Sequence, residues 1–363
     1  MKILRALNKF LPLFLITAFT VTFLAGCDYL IRVPAFPKAP LVSEEVISDF
    51  MELERFIGNM SENQTTTLRV RLSSIEVWDE LEEFYYFNPE YLMTYGIRGI
   101  AIDYANKSGY IDAAVTPNYE MYVRLIAAYE TGDKSNLTNE EKQVYDRASR
   151  IVKEHAKGGT TFDKALGLHD ELVSLVEYDY NHGTNPNAFN VYGALVEGIA
   201  VCQGYAQAYK LLLHMAGVDS KIVSGVAGRE PHAWNLINYG GGKWAHIDAT
   251  WNDTHFDDRV THRFFNVPDE VLGRTHTWNR GLYPAATTYD YIYYRYVGKA
   301  FSSLHAFESH FASSFHGAGA YEFLCAFAVT ADDLSFIRDF WEAEVTFNTD
   351  SYGRDTLLTL VFG

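Results

Sequence analysis

In the stretch Gly198-Ile199-Ala200-Val201-Cys202-Gln203-Gly204-Tyr205, a cysteine stands where a loop turns into a helix. Apolar spacing predicts that this helix runs over Gln203–Met215 and ends at Gly217. The N–H groups and positive dipole end of a helix N-terminus favour a thiolate and can bind an oxyanion. We therefore expect Cys202 to be a nucleophile, with its own backbone N–H as oxyanion donor and the Gln203 side chain as a second candidate.

A histidine and an aspartate follow in a predicted hairpin. The segments Ala233–Tyr239 and Lys243–Thr250 are rich in strand formers and are joined by three consecutive glycines. If the turn centres on the first or second glycine, Asp248 lies opposite His232 or opposite Trp234, and His232 and Asp248 share one face. A slip by one residue would separate them. His232 could then act as the base for the thiol, and Asp248 could orient its ring.

Each of these residues also has a structural interpretation. Cys202 could be an inert buried thiol, His232 a strand histidine and Asp248 a carboxylate at a strand end. His246 falls on the same predicted face as Asp248 and is the main rival for the base, although its strand position suits a supporting role. Three tryptophans are expected to pack around these residues and exclude water: Trp234, Trp244 and Trp251.

The order of these motifs resembles the transglutaminase-like superfamily, in particular a bacterial branch described as having peptidase activity. The matching motifs are Cys202-Gln203-Gly204-Tyr205-Ala206, His232-Ala233-Trp234-Asn235 and Trp244-Ala245-His246-Ile247-Asp248-Ala249-Thr250-Trp251-Asn252-Asp253, with His276-Thr277-Trp278 among several outlying pieces. The resemblance spans roughly residues 160–280, and Ala245 departs from it where an aromatic residue is common. It implies an α+β fold with a papain-like core, in which the cysteine helix packs on an antiparallel sheet carrying the histidine and aspartate.

The resemblance also implies thiol acyl-transfer chemistry with Cys202, His232 and Asp248 as a triad. A thioester resolved by water makes the protein a cysteine peptidase or amidase, which we favour, and one resolved by an amine makes it a transglutaminase. The alternative from another class is a non-catalytic module that binds peptide or glycan. We expect no cofactor and no metal, since His255, Asp257, Asp258 and His262 fit a solvated polar loop better than a metal site.

The N-terminus has the pattern of an exported lipoprotein. Basic residues precede an uncharged apolar run over Phe10–Leu24, which is rather short for a membrane-spanning helix. The run ends in Leu24-Ala25-Gly26-Cys27, which looks like a bacterial lipobox. That resemblance implies cleavage before Cys27 and diacylglycerol on its sulfur, so we expect an extracytoplasmic protein tethered to the cell membrane. A plain anchor helix is the alternative.

Composition limits the partners. The net charge of -16 makes nucleic acid or an anionic membrane surface an unfavourable partner. A peptide, a protein or a cell-wall peptide is the expected substrate. Once Cys27 is lipidated, Cys202 and Cys325 are the remaining thiols, and a disulfide between them is the alternative to a reactive Cys202.

We expect five segments along the chain. Residues 1–26 are the signal peptide, 27–42 a proline-rich tether, 43–135 an N-terminal α+β module, 136–282 the catalytic domain and 283–363 a C-terminal α+β module. Both flanks follow the order helix, strand, helix, hairpin, which fits an internal duplication and fits equally two unrelated elaborations of one core. The predicted helices of the flanks begin at Ser43, Ser74, Phe301 and Ala331.

Overall fold

The structure is a computed structural model that describes residues 41–53, 55–56, 68–87, 95–103, 109–119, 121–181, 185–254, 259–314, 319–340 and 345–362. The signal peptide, Cys27, the start of the tether and residues 255–258 lie outside the described residues. No helix in the described ranges has the length and apolar character needed to cross a membrane. The chain divides into two compact units, residues 1–141 with 180–186, and residues 142–179 with 187–363.

The first unit is built on a four-stranded sheet in the order β1-β2-β4-β3. Its strands are β1 (Leu41–Ile47), β2 (Leu68–Leu72), β3 (Tyr95–Asp103) and β4 (Ile111–Tyr119), and its helices are α1 (Glu76–Phe87) and α2 (Met121–Thr131). β1 is parallel to β2, and the other pairs are antiparallel. Alternate residues of β2, Val70 and Leu72, are buried against Val77 and Leu81 of α1. The core of this unit therefore includes the interface between the sheet and α1.

The helix predicted from Ser43 is wrong at its start. Residues 41–47 form β1, and helical residues begin only at position 50. Asp49 supplies the N-cap, because its Oδ1 accepts hydrogen bonds from the backbone N–H groups of Met51 and Glu52 at 2.9 and 3.2 Å. Pairing with β2 takes the main chain of the preceding residues into a sheet, which outweighs their helical spacing.

The helix α3 (Asn139–His155) begins with a capping box. The backbone N–H of Glu141 donates to Thr138 Oγ1 at 3.1 Å, and the backbone N–H of Thr138 donates to Glu141 Oε2 at 2.8 Å.

The centre of the second unit is a helix packed on an antiparallel sheet. The five strands run in the order β12-β9-β8-β7-β13, with β7 (Ser220–Ala227), β8 (Glu230–Asn238), β9 (Trp244–Ile247), β12 (Phe265–Val267) and β13 (His276–Thr277). The helix is α5 (Cys202–Met215), which packs on β7 and β8 and also against α4 (Thr161–Leu175). Asn235 of β8 donates its amide N–H to the Ala206 carbonyl at 3.0 Å, which ties sheet to helix. This is the α+β core that the resemblance predicts.

Shorter elements complete the core. They are β5 (Glu177–Tyr178) parallel to β6 (Ile199–Ala200), a 3-10 turn at Pro186–Phe189, a π-helical turn at Gly193–Glu197, α6 (Ala249–Asn252), β10 (Asp253–Thr254), β11 (Arg259–Val260), α7 (Asp269–Leu272), a 3-10 turn at Arg280–Leu282 and α8 (Tyr293–Tyr296).

The C-terminal part of the second unit repeats the topology of the first sheet. Its elements are β14 (Ala300–Phe301), α9 (Leu304–Ser314), β15 (Gly319–Cys325), α10 (Ser335–Phe340), β16 (Val345–Tyr352) and β17 (Asp355–Phe362), in the sheet order β14-β15-β17-β16. β14 is parallel to β15 and the other pairs are antiparallel, as in the first unit. Both sheets thus begin with a parallel strand that the sequence did not reveal, and the helix predicted from Phe301 starts only at Leu304. The shared topology supports the duplication hypothesis.

Candidate active site

Cys202 is the first residue of α5 and is half-buried. The preceding residue, Val201, is extended and has no side chain that could cap the helix, so the first N–H groups of α5 have no side-chain cap. Gly204 lets this helix end approach the preceding turn: a Cβ at that position would lie 2.5 Å from the Ala188 carbonyl oxygen and 2.9 Å from Ala200 Cβ. Both Cys202 and Cys325 are free thiols, so the disulfide alternative is not formed.

The hairpin has the register that places Asp248 across from Trp234. Asn235 pairs with Ile247 and Leu236 with His246, so His232 and Asp248 lie diagonally on one face. The two side chains meet, with His232 Nε2 at 2.8 Å from Asp248 Oδ2. Asp248 also ends β9 and caps α6, and its Oδ1 accepts the Trp251 backbone N–H at 3.1 Å.

The hydrogen bonds fix the tautomer of His232. An ionised carboxylate can only accept, so Nε2 of His232 carries the proton that it donates to Asp248. The Cys202 thiol also interacts with this imidazole, and its hydrogen bond and charge add to those of Asp248 in raising the pKa of His232. Cysteine, histidine and aspartate are therefore brought together, and the hairpin register predicted this for His232 and Asp248.

Electrostatics stabilise a charged pair in this site. Burial disfavours an imidazolium, but the charge and hydrogen bond of Asp248 outweigh burial and raise the pKa of His232 above its ordinary value. Burial likewise disfavours the carboxylate, yet His232 and His276 hold the pKa of Asp248 well below its ordinary range. At neutral pH, Asp248 is therefore a carboxylate and His232 carries a proton on each ring nitrogen.

A second histidine binds the same carboxylate, and the sequence analysis gave it no role. His276 Nε2 lies 2.9 Å from Asp248 Oδ2, the oxygen that already accepts from His232. Its side chain is fully buried in β13, and its Nδ1 lies 2.8 Å from Thr275 Oγ1. The motif His276-Thr277-Trp278 was a signal in the sequence, but nothing in it indicated contact with a residue on another strand.

Both ring nitrogens of His246 form hydrogen bonds with residues other than Cys202. Its Nδ1 accepts from Trp234 Nε1 at 3.0 Å and its Nε2 donates to Asp269 Oδ1 at 2.8 Å, and the side chain is fully buried. Burial lowers its pKa, despite Asp269, so the ring is neutral. Both nitrogens are occupied, which argues against the rival base and leaves a supporting contact to Trp234.

Two of the other predicted site residues, Trp234 and Trp251, lie beside His232. The Trp234 ring is buried and lies nearly parallel to the imidazole at 6.0 Å between centroids, and the half-buried Trp251 ring lies at the same distance from it. Gln203, half-buried, follows Cys202 in the first turn of α5. The two tryptophans limit the access of water to the imidazole.

A second polar cluster lies beside α4. Asp170 Oδ1 accepts from His169 Nδ1 and from His262 Nε2, each at 2.8 Å. Asn252 Oδ1 accepts the Phe264 backbone N–H, so its Nδ2 donates to His169 Nε2 at 2.9 Å. His169 therefore carries its proton on Nδ1, and that nitrogen cannot bind a metal ion in this arrangement, although the three possible ligand atoms lie within 4.8 Å of one another.

A comparison with known protein families identifies part of the chain. Residues 145–249, which include Cys202, His232 and Asp248, match the model of the transglutaminase-like superfamily. No curated protein matches the chain. This stretch is a transglutaminase-like domain, and the fold of the core is transglutaminase-like.

Several solved structures are similar to the chain at low identity. One is a TGase at 15% identity, covering 62% of each chain with a TM-score of 0.29. Another is a proposed cysteine protease from Cytophaga hutchinsonii at 14% identity, covering 47% of this chain and 68% of that one with a TM-score of 0.26. A third is a proposed protease from Parabacteroides distasonis at 8% identity, covering 82% and 65% with a TM-score of 0.26. The chain thus spans less than two thirds of the first of these proteins.

Proposed function

We propose that this protein is a thiol acyl-transfer enzyme that hydrolyses peptide or amide bonds through Cys202, His232 and Asp248. The observation that carries the proposal is the buried Asp248 carboxylate hydrogen-bonded to Nε2 of His232, whose imidazole also interacts with the Cys202 thiol at the start of α5. A nucleophile, a base and a group that orients the base, in hydrogen-bond contact, is the arrangement that acyl transfer requires.

In the first half-reaction, the Cys202 sulfur bonds to the carbonyl carbon of the substrate. The backbone N–H at the start of α5 stabilises the oxyanion. The imidazolium of His232 donates its Nδ1 proton to the leaving amine as the C–N bond breaks, and a thioester remains on Cys202. Throughout, Asp248 keeps the Nε2 proton of His232 in place.

In the second half-reaction, neutral His232 accepts a proton from water at Nδ1 while the water oxygen attacks the thioester. The product is a carboxylic acid, and the proton returns the site to its starting state. An amine acceptor would instead give a new amide and a transglutaminase. We favour water, and a peptide, protein or cell-wall peptide as substrate, because the proposed extracytoplasmic location exposes the site to such substrates.

The acceptor can be tested with the chain in which Cys27→Ser prevents lipidation, purified in detergent. Glutamine-containing peptides and cell-wall peptides are incubated with and without a labelled primary amine, and the products are identified by mass spectrometry. We expect cleavage or deamidation that is lost in Cys202→Ser and retained in Cys325→Ser. Amine incorporation in place of hydrolysis would show a transglutaminase. An absence of both products would contradict the enzyme proposal and favour a peptide-binding or glycan-binding module.

We also propose that the protein is anchored outside the cytoplasm by lipid on Cys27. The support is the sequence ending in Leu24-Ala25-Gly26-Cys27 after an apolar run. Two acyl chains give a stable anchor, whereas a single chain binds reversibly. In a bacterial host, we expect labelled palmitate to enter the full chain and the label to be lost in Cys27→Ser. Equal labelling of both chains would exclude this anchor.

A further inference from the structure

We propose that His276 is a positioning residue that sets the proton affinity of His232 by sharing one oxygen of Asp248 with it. The inference rests on the proposed function of Cys202, His232 and Asp248. His232 Nε2 and His276 Nε2 lie 2.8 and 2.9 Å from the same atom, Asp248 Oδ2, while Oδ1 is occupied by the Trp251 backbone N–H.

The His276 ring is held in one place on every side. Its centroid lies 4.6 Å from that of Trp251 and 5.1 Å from that of Trp234, and Phe264 lies on a further side at 5.6 Å. His276 pairs with Ala227 at the edge of the five-stranded sheet, so the backbone is fixed as well. Packing against these three rings holds the imidazole in the orientation in which Nε2 faces Asp248.

His232 and His276 both donate to Asp248, but only the His232 ring takes part in the proposed proton transfer. An ionised carboxylate has no proton, so both Nε2 atoms donate to Asp248. The Nε2 proton of His276 stays directed at Asp248 while His232 gains and loses its Nδ1 proton during the reaction. A permanent donor on Oδ2 takes up part of the negative charge that would otherwise act on His232 alone. His276 therefore limits how strongly Asp248 holds His232 in its charged form.

No other titratable group among the described residues around Asp248 replaces this effect. Cys202 of α5 interacts with the His232 ring. His169 of α4 and His246 of β9 are buried, and burial lowers the pKa of each, so both are neutral. Asp269 faces His246, whose Nε2 donates to it at 2.8 Å.

The test uses the full Cys27→Ser chain and follows the imidazole of His232 by ¹⁵N NMR across the pH range. His232→Gln identifies the signal. In His276→Phe, which keeps a ring and loses the donor, we expect His232 to stay charged to a higher pH, by about 0.5–1 unit. In His276→Gln, which keeps an N–H, we expect a smaller shift. The low-pH midpoint of Cys202 alkylation should move down in the same order.

A role that is only structural would not produce this ordered shift. If His276→Phe does not fold, Thr275→Val provides the test, because it removes the Nδ1 contact and should give an upward shift of the same sign. An unchanged or lowered His232 titration in the folded variants would overturn the inference. Failure of the proposed function would look different, since Cys202 alkylation would then be indifferent to His232→Ala as well as to His276.

Discussion

The two described thiols of this protein have opposite surroundings. Cys325 is buried in the C-terminal module, and burial raises its pKa to about 12. Cys202 is half-buried at a helix N-terminus and contacts an imidazole whose charged form Asp248 stabilises. A difference in reactivity between the two thiols therefore follows from their neighbours, since the side chain is the same.

The stability of a His246 variant measures the supporting role of this residue. His246→Leu removes the acceptor of Trp234 Nε1 and one donor to Asp269 Oδ1, which keeps the Ala286 backbone N–H. We expect the free energy of unfolding to fall by about 1–3 kcal/mol, the cost of one buried polar group left unpaired. Chemical denaturation measures the loss, with the exposed His305→Leu as control. Equal stability of the two variants, or loss of the pH dependence of Cys202 alkylation in His246→Leu alone, would contradict this role.

The sequence allowed us to predict site residues whose contacts form within one hairpin. His232 and Asp248 are linked by a three-glycine turn, so their distance followed from the register. His276 and Asp269 were missed because they reach the site from elements after the hairpin, and strand order cannot be read from the spacing of residues.

Among the secondary-structure elements, a continuous pattern or a hairpin was predictable, and the parallel strands at the sheet edges were not. α5 was predicted within one residue of its start, because its apolar spacing is continuous. β1 and β14 were missed because a parallel strand is defined by its pairing with β2 or β15, which is distant in sequence.

At the scale of the whole molecule, the same strand order occurs twice, once in each compact unit. In the second unit, Leu324, Tyr352 and Leu357 of the C-terminal sheet belong to the core cluster that contains Trp234. The C-terminal sheet therefore packs in the same core as Trp234, which lies beside His232. Neither the composition nor the residue spacing indicated this contact. The acidic net charge of -16 is a property of the entire chain and disfavours anionic partners.

If Cys202 and His232 form a reactive pair, the rate at which Cys202 is alkylated in the Cys27→Ser chain depends on pH and on His232. We expect iodoacetamide to label Cys202 rapidly near neutral pH, where Cys325 stays unlabelled. In His232→Ala, the rate at Cys202 should fall about tenfold or more, because each pH unit of thiolate stabilisation is a factor of about ten. Slow labelling of Cys202 at the same rate with and without His232 would show that the two residues do not form a reactive pair.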